Sequence, residues 1–246
     1  MKHCFLVCAA LVAVAAGADS LADLRQALGR YPAKAAFAAS AVVQLNASTQ
    51  NDASRGGTAA FDIEWSAKGF SVLVSPATLD AAQREAAAKK RDPNAATPTR
   101  TAMVALNVFD ILGAMDAAAM LLDDLSGATP IGESSVTLDG KPAKLLRVKV
   151  KPSFATQSRF VAAPEIELKI WIGGDGVPVA AERVSIFSAG IGPAKGSNVR
   201  TERWTLATYG DRLYASRNDE DDRASAVGRQ MSSSRAVLYT PKDHGH

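Results

Sequence analysis

Cysteine and histidine are almost absent from this chain of 246 residues. Its two cysteines and three histidines all lie near the ends, at positions Cys4, Cys8, His3, His244 and His246. A Ser-His-Asp triad needs an imidazole beside the serine, and a Cys-His pair needs both partners. Most zinc and iron sites also use one of these two residue types. Residues 19–243 can therefore build none of these sites, and the composition favours binding over catalysis.

Other chemical signatures are absent as well. The chain contains no GxGxxG, no P-loop and no GxSxG motif. The acidic run from Asp219 to Asp222 lacks EF-hand spacing and is predicted to be a solvated loop. Two pairs of carboxylates have i, i+2 spacing, which places both members of a pair on one face of a strand: Asp62 with Glu64, and Glu165 with Glu167. Such a pair could serve a glycosidase, but a solvated strand face is the favoured interpretation. No enzyme activity, metal or cofactor is predicted.

The first 18 residues have the anatomy of a secretory signal peptide. A basic start at 1–3 precedes an uncharged apolar run over 4–16, and a small-residue cleavage site ends at Ala18. The run is too short to cross a membrane as a helix, which takes about 20 residues. We therefore expect cleavage after Ala18, export to the periplasm and no transmembrane span. The exported chain keeps no cysteine and so depends on its core rather than on disulfides.

Hydrophobic periodicity divides the rest into helices and strands. Residues 21–28 predict a short helix, and the segment 78–90, rich in alanine and charge, predicts a solvent-facing helix. The apolar stretch 102–125 predicts one interrupted helix or two. Asp123 and Asp124 stand near its end, where the helix dipole disfavours negative charge.

Elsewhere apolar and polar residues alternate, as in half-buried strands. Leu146, Val148 and Val150 alternate with basic residues, and Asp139-Gly140 is a strong hairpin signal. Residues 51–57 are predicted to form a turn-rich loop. We count about nine to eleven strands, joined by short antiparallel connections. The prediction is an α+β, mainly β domain over 19–240, with one large curved antiparallel sheet, an incomplete β-barrel, covered by helices on one side and followed by a disordered tail over 241–246.

This order of elements resembles the periplasmic lipoprotein-carrier fold, the LolA/LolB-like half-barrel. Two pieces carry the resemblance: the strand entry from Asp139 to Leu145, and the hairpin that joins Leu168–Ile172 to Asp175–Val179 and Glu182. In carriers of this group a curved sheet covered by helices encloses an apolar cavity for acyl chains. The arginine that controls lipid release in those carriers has no counterpart on any motif of this chain.

The function predicted from these features is a non-enzymatic binding or carrier protein for a lipid or other amphiphile. A lipid or an acylated protein is the expected partner. The candidate cavity-lining residues are large and apolar: Phe61, Trp65, Phe70, Phe109, Leu112, Trp171 and Trp204. The alternative is an envelope interaction or sensor module that binds a protein partner and no small molecule. Nucleic acid is not expected, because a net charge of +3 is weak for phosphate binding.

Overall fold

The fold is built on one ten-stranded antiparallel sheet. The structure is a computed structural model that describes residues 19–49, 52–67, 69–152, 163–191, 194–226 and 229–242. The strands in chain order are β1 (Phe37–Thr49), β2 (Asp52–Ser66), β3 (Gly69–Val74), β4 (Thr129–Leu138), β5 (Lys141–Val150), β6 (Glu165–Ile172), β7 (Pro178–Ile191), β8 (Ala194–Tyr209), β9 (Arg212–Ala226) and β10 (Arg229–Pro241).

The sheet is open. Its spatial order is β3-β2-β1-β10-β9-β8-β7-β6-β5-β4, with β1 paired to β10 and with β3 and β4 at the two ends. Hairpin turns join most neighbours, and the turn between β4 and β5 uses positive φ at Asp139 and Gly140, as its sequence predicts. The α+β, mainly β fold with an incompletely closed sheet is confirmed.

The helices cover one face of this sheet. The structure describes α1 over 19–28, and the later helices are α2 (Pro76–Arg91), α3 (Pro98–Val104), α4 (Val108–Met115) and α5 (Ala117–Leu125). Helices α2 to α5 lie between β3 and β4 in the chain, so they connect the two edges of the sheet. Two polar residues interrupt the apolar stretch predicted over 102–125: Asn107 caps α4 at Phe109 N (3.0 Å), and Asp116 caps α5 at Ala119 N (3.1 Å).

The core lies between the helices and what we call the inner face of the sheet. Alternate strand residues point there, as the period of two predicts, and Leu146, Val148, Leu168 and Ile170 are fully buried. The helices contribute Leu24, Leu28, Met115, Leu121 and Leu125 to the same core. Hydrophobic burial therefore fixes which face of the sheet the helices cover.

The opposite, outer face carries a row of ion pairs. Lys169 contacts Glu182 at 2.8 Å, Glu182 contacts Arg203 at 2.8 Å, and Arg203 contacts Asp221 at 2.9 Å. Arg203 is about half exposed, so water screens these charges. Exposed pairs of this kind contribute about 0–1 kcal/mol each. The outer face is accordingly a solvated surface.

Arg212 is a charged residue at the centre of the helix–sheet contact. Its side chain is 1% exposed. Nη1 donates to the carbonyl of Met115 at the end of α4 (2.9 Å), and Nη2 donates to the carbonyls of Ala33 and Ala35 (2.9 and 3.0 Å). The guanidinium also stacks on Trp65, 4.8 Å from the ring centre. Arg212 thus joins α4, the segment before β1 and strand β9.

Two predicted loops are strands in the structure. The loop predicted over 51–57 is wrong from residue 52 onward, because β2 begins at Asp52 and pairs with β1. The acidic run from Asp219 to Asp222 is also not a loop, because it lies inside β9 between β8 and β10. In both places pairing with long neighbouring strands outweighs the local turn propensity.

The predicted segments at the two ends fall largely outside the described residues. The signal peptide over 1–18 lies there, as do residues 243–246 of the predicted tail. The first two tail residues are described: β10 ends at Pro241, and Lys242 Nζ contacts Asp62 at 2.7 Å. Within the described parts of the chain, no helix is long and apolar enough to cross a membrane.

The close approach of α3 to β2 gives a stability prediction. A Cβ atom added to Gly57 would lie 1.9 Å from the Pro98 carbonyl oxygen, which is backbone and cannot rotate away. We expect Gly57→Ala to lower the free energy of unfolding by roughly 1–3 kcal/mol, the usual effect of overpacking. Gly132→Ala is the matched strand control, because a Cβ there meets nothing within 4 Å. Equal urea midpoints for the two variants would contradict the close approach of Pro98 in α3 to Gly57 in β2.

Candidate functional site

A cavity of about 530 Å³ lies between the helix pair α4–α5 and the inner face of the sheet. This volume is within the range of small-molecule sites. Its described lining residues come from α4, α5, strands β5 to β8 and the segments that follow α5 and β5. They are Asp110, Asp123, Asp124, Ser126, Val150, Lys151, Pro152, Ile166, Arg183, Ser185, Phe187, Arg200 and Glu202. We call this cavity the inner pocket.

The strand period explains which side chains reach the inner pocket. On β7 the inward positions are Ala181, Arg183, Ser185 and Phe187, and on β8 they include Glu202, which shares its face with the buried Trp204. The lining therefore has two walls of different character. One wall is apolar and is formed by Val150, Ile166 and Phe187, whereas the other is charged.

The charged wall belongs to a chain of ion pairs, which we call the inner ion chain. Its links in spatial order are Asp124, Arg183, Glu202, Arg200, Glu220, Arg235 and Asp110. Arg183 lies 3.1 Å from Asp124 and 2.8 Å from Glu202. Arg200 lies 3.6 Å from Glu202 and 2.8 Å from Glu220.

The far end of the inner ion chain reaches helix α4. Arg235 Nη2 contacts both Glu220 Oε2 and Asp110 Oδ2, the second at 2.6 Å. The Arg235 side chain is only 8% exposed. A second donor of Arg235, Nη1, reaches the carbonyl of Ala105 in the turn before α4 (2.5 Å). This arginine therefore ties β10 to the start of α4.

Burial shifts the titration of two carboxylates in the inner ion chain, Asp124 and Glu220. It raises the pKa of Asp124 above its ordinary value, in spite of the adjacent Arg183. Burial also raises the pKa of Glu220, to about 7, against the lowering effect of Arg235 and Arg200. The pKa of Arg183 is also raised. Burial acts to lower it, but the neighbouring carboxylates of Glu202 and Asp124 have the larger, opposite effect. Perturbed groups beside a cavity are typical of functional sites.

Several buried polar atoms along the inner ion chain have no hydrogen-bond partner among the described residues. They are Arg200 Nε, Arg235 Nε, Asn198 Oδ1, Asn218 Oδ1 and Tyr239 Oη. An unpaired buried donor or acceptor costs about 1–3 kcal/mol. An ordered water or a bound ion is one established explanation of such atoms. Arg200 is the member of this group that also lines the inner pocket.

The candidate lining residues predicted from the sequence lie in different places. Phe61 and Trp204 are buried in the core, and Trp204 lies beneath Arg183, whose guanidinium is 5.2 Å from its ring centre. Trp65 and Phe70 come together, with ring centres 5.8 Å apart. Phe109 is 74% exposed on α4.

The remaining two candidates are half-buried. Leu112 lies on α4, and Trp171 lies on the outer face of β6, opposite to Leu168 and Ile170.

The sequence does not predict the inner pocket, because most of its polar lining residues are charged and resemble surface residues. The signal for it was present in the alternation of β8, which puts Arg200 and Glu202 on the same face as Trp204.

A second cavity, of about 780 Å³, lies between α1, the β4–β5 hairpin and the β6–β7 turn. At its border Ser20 Oγ donates to Glu133 (2.5 Å), and Lys144 Nζ contacts the same carboxylate at 3.1 Å. The hydrogen bond from Ser20 lowers the pKa of Glu133, so this carboxylate is a poor general base. The polar groups at this border satisfy one another, unlike those along the inner ion chain.

No group of three or more metal-ligating side chains occurs among the described residues. Asp110, Asp124 and Glu202 of the inner pocket are each paired with an arginine instead. The inner pocket therefore presents hydrogen-bond donors and ion pairs next to an apolar wall.

Comparisons with known proteins give one structural match. No protein-family model matches the chain, and no curated protein matches its sequence. A LolA superfamily protein from Nitrosomonas europaea is similar to it in structure, with 12% sequence identity, a TM-score of 0.32 and coverage of 94% of each chain.

Proposed function

We propose that the protein is an exported binding or carrier protein for an amphiphile, which it holds in the inner pocket. The observation that carries the proposal is that the inner pocket has an apolar wall next to a charged wall. Val150, Ile166 and Phe187 offer an apolar surface, and the guanidinium groups of Arg183 and Arg200 lie on the same face of the sheet. A molecule with an alkyl chain and a polar head matches both walls.

Arg200 is the residue that we assign to the polar head. Its Nη2 contacts Glu220, whereas its Nε has no partner among the described residues. A ligand oxygen that displaces the surrounding side chains and reaches this nitrogen would satisfy a donor that is unpaired in the free protein. Arginine also suits carboxylate and phosphate groups by its planar arrangement of donors. We therefore propose a ligand whose head group carries a negatively charged oxygen.

Binding without chemistry accounts for the residue types at the inner pocket. Three of its carboxylates, Asp110, Asp124 and Glu202, are held in ion pairs, and the arginines beside them act as hydrogen-bond donors rather than as proton carriers. In this proposal the protein works in the periplasm after cleavage of residues 1–18. Its partner there is a lipid, or a protein that carries an acyl chain.

A fluorescent amphiphile tests the proposal directly. Dansylundecanoic acid has both an alkyl chain and a carboxylate, and we expect its emission to rise and shift to the blue on binding. Phe187→Asp places a charge on the apolar wall and should weaken binding by about tenfold or more, since burial of an unpaired charge is costly. Ile186→Asp is the matched control, because the neighbouring side chain lies on the outer face and is 41% exposed.

Two outcomes would contradict the proposed function. One is an unchanged emission spectrum of dansylundecanoic acid in the presence of the wild-type chain. The other is equal affinity of the Phe187→Asp and Ile186→Asp variants for the probe. Dansylamide, which has no alkyl chain, should bind weakly to all three proteins. A stoichiometric protein partner without bound lipid would favour the interaction-module alternative.

A further inference from the structure

Three buried side chains near the Arg235 end of the inner ion chain each keep a polar atom that no described residue pairs with. Asn218 is 2% exposed, Tyr239 is 3% exposed and Arg235 is 8% exposed. The unpaired atoms are Asn218 Oδ1, Tyr239 Oη and Arg235 Nε. Burial of an unpaired donor or acceptor is costly, so three such atoms in one region point to a bound group that pairs with them. We call these three residues the buried polar site.

Strand pairing brings the buried polar site together on the inner face of the sheet. Asn218 on β9 lies directly opposite Val237 on β10. Arg235 and Tyr239 lie two residues to either side of Val237 and are buried on the same face. Each of them is therefore a diagonal neighbour of Asn218, about 7–8 Å away at Cα, which long side chains can span. The three polar side chains accordingly meet above Val237.

Helix α4 covers the buried polar site through Asp110. Asp110 Oδ2 accepts from Arg235 Nη2 at 2.6 Å, and Arg235 Nη1 donates to the carbonyl of Ala105 in the turn before α4. Burial raises the pKa of Tyr239, while the charge of Arg235 acts to lower it and that of Asp110 to raise it, so the phenol lies close to both groups and keeps its proton. Asp110 also lines the inner pocket, so the pocket and the buried polar site share this carboxylate.

The three unpaired atoms select the chemistry of the bound group. Arg235 Nε needs an acceptor, Asn218 Oδ1 needs a donor, and Tyr239 Oη serves as either. A carboxylate or phosphate oxygen would leave the amide oxygen unpaired, and it would add negative charge beside Asp110 and Glu220, which Arg235 already contacts. An ammonium group would leave Nε unpaired beside a positive guanidinium. A hydroxyl group both donates and accepts without charge, so it matches all three atoms.

We propose that the buried polar site binds one hydroxyl group, which accepts from Arg235 Nε, donates to Asn218 Oδ1 and lies beside Tyr239 Oη. The hydroxyl belongs to a water molecule or to the head group of the amphiphile, and both sources offer the same chemistry. The water form is independent of the proposed function, whereas the head-group form rests on it. In the second form the head group carries a hydroxyl in addition to the charged oxygen that we assign to Arg200, as a polyol phosphate does.

Urea unfolding of a double-mutant set tests the buried polar site. Tyr239→Phe deletes one partner of the hydroxyl, and Asn218→Leu deletes another with a side chain of similar size. We expect Tyr239→Phe to lower the urea midpoint of the wild type, and to cost about half as much or less in the Asn218→Leu background, because the shared hydroxyl is already released there. A phenol without a partner predicts the opposite, since its deletion removes a desolvation cost and raises the midpoint.

Tyr214→Phe is the control for this set. Tyr214 is a buried tyrosine on β9 whose ring packs against Phe37, with ring centres 5.5 Å apart. Its effect on the urea midpoint should be the same in the wild type and in the Asn218→Leu background. The proposal is overturned if Tyr239→Phe raises the midpoint or leaves it unchanged, or if its cost is equal in the two backgrounds.

Oxygen-17 magnetic relaxation dispersion of water, combined with two phosphate probes, distinguishes the two sources of the hydroxyl. In the ligand-free protein we expect one long-lived internal water fewer in Tyr239→Phe than in the wild type. Dodecyl phosphoglycerol and methyl dodecyl phosphate have equal charge, but only the first carries hydroxyls. A head-group hydroxyl predicts about tenfold tighter binding of dodecyl phosphoglycerol to the wild type, loss of this preference in Tyr239→Phe, and release of the water. Water alone predicts equal affinities and a retained water.

The dansylundecanoic acid titration separates failure of this inference from failure of the proposed function. Probe binding, with equal numbers of long-lived waters in the wild type and Tyr239→Phe and equal affinities for the two phosphates, would overturn the buried polar site alone. A water that Tyr239→Phe releases, without binding of any of the three amphiphiles, would support the buried polar site and contradict the proposed function.

Discussion

Replacing Arg212 with methionine should lower the free energy of unfolding by roughly 3–5 kcal/mol. The guanidinium is fully buried and donates to three main-chain carbonyls, those of Met115, Ala33 and Ala35. Methionine fills much of the volume but offers no donor, so the carbonyls of the buried residues Met115 and Ala33 would lose this partner, as would that of the exposed Ala35. The expected loss is large because each unpaired acceptor adds its own desolvation cost.

Urea unfolding followed by circular dichroism measures this effect. Arg217→Met is the matched control on the same strand, since Arg217 is about half exposed and pairs with Asp219 on its own strand. We expect that control to stay within about 0.5 kcal/mol of the wild type. A similar loss in both variants would show that Arg212 does not join α4 to the sheet in the way described.

The second large effect is expected at Trp204. Its side chain is 3% exposed, packs in the core and supports the guanidinium of Arg183. Trp204→Ala should lower the free energy of unfolding by about 3–5 kcal/mol, because truncation leaves a large cavity and removes the support of Arg183.

Trp171 provides the comparison for Trp204. It lies on the outer face of β6 and is half-buried, so Trp171→Ala should cost about 1 kcal/mol. Thermal and urea unfolding of the two variants checks the difference. If Trp204→Ala were as stable as Trp171→Ala and gained probe affinity, Trp204 would line a ligand cavity rather than fill the core.

The sequence predicted the fold well because the sheet obeys local rules. Alternation on β5 and β6 identified their buried faces, and Asp139-Gly140 identified a turn that requires positive φ. The helix limits were less predictable. Asn107 and Asp116 divide the apolar stretch into separate helices through side-chain caps, which depend on local backbone geometry as well as composition.

The inner pocket was harder to predict because its residues read as surface charges. Asp219–Asp222 has the composition of a loop, yet Glu220 meets Arg200 and Arg235 from the two strands that flank β9. The position of Asp124 near a helix end opposes the helix dipole, and Arg183 explains it through a contact that spans 59 positions of the chain. Such partners are set by strand order, which the sequence specifies only through long-range pairing.

The central claim is that the inner pocket holds an amphiphile, and native mass spectrometry of the protein tests it most directly. The protein should be recovered under mild conditions from cells that produce it naturally, beside its Phe187→Asp and Ile186→Asp variants. We expect an added mass of an acyl-containing molecule on the wild type and on Ile186→Asp, and its loss from Phe187→Asp. A bare chain in all three samples, or the same added mass on all three, would contradict the claim.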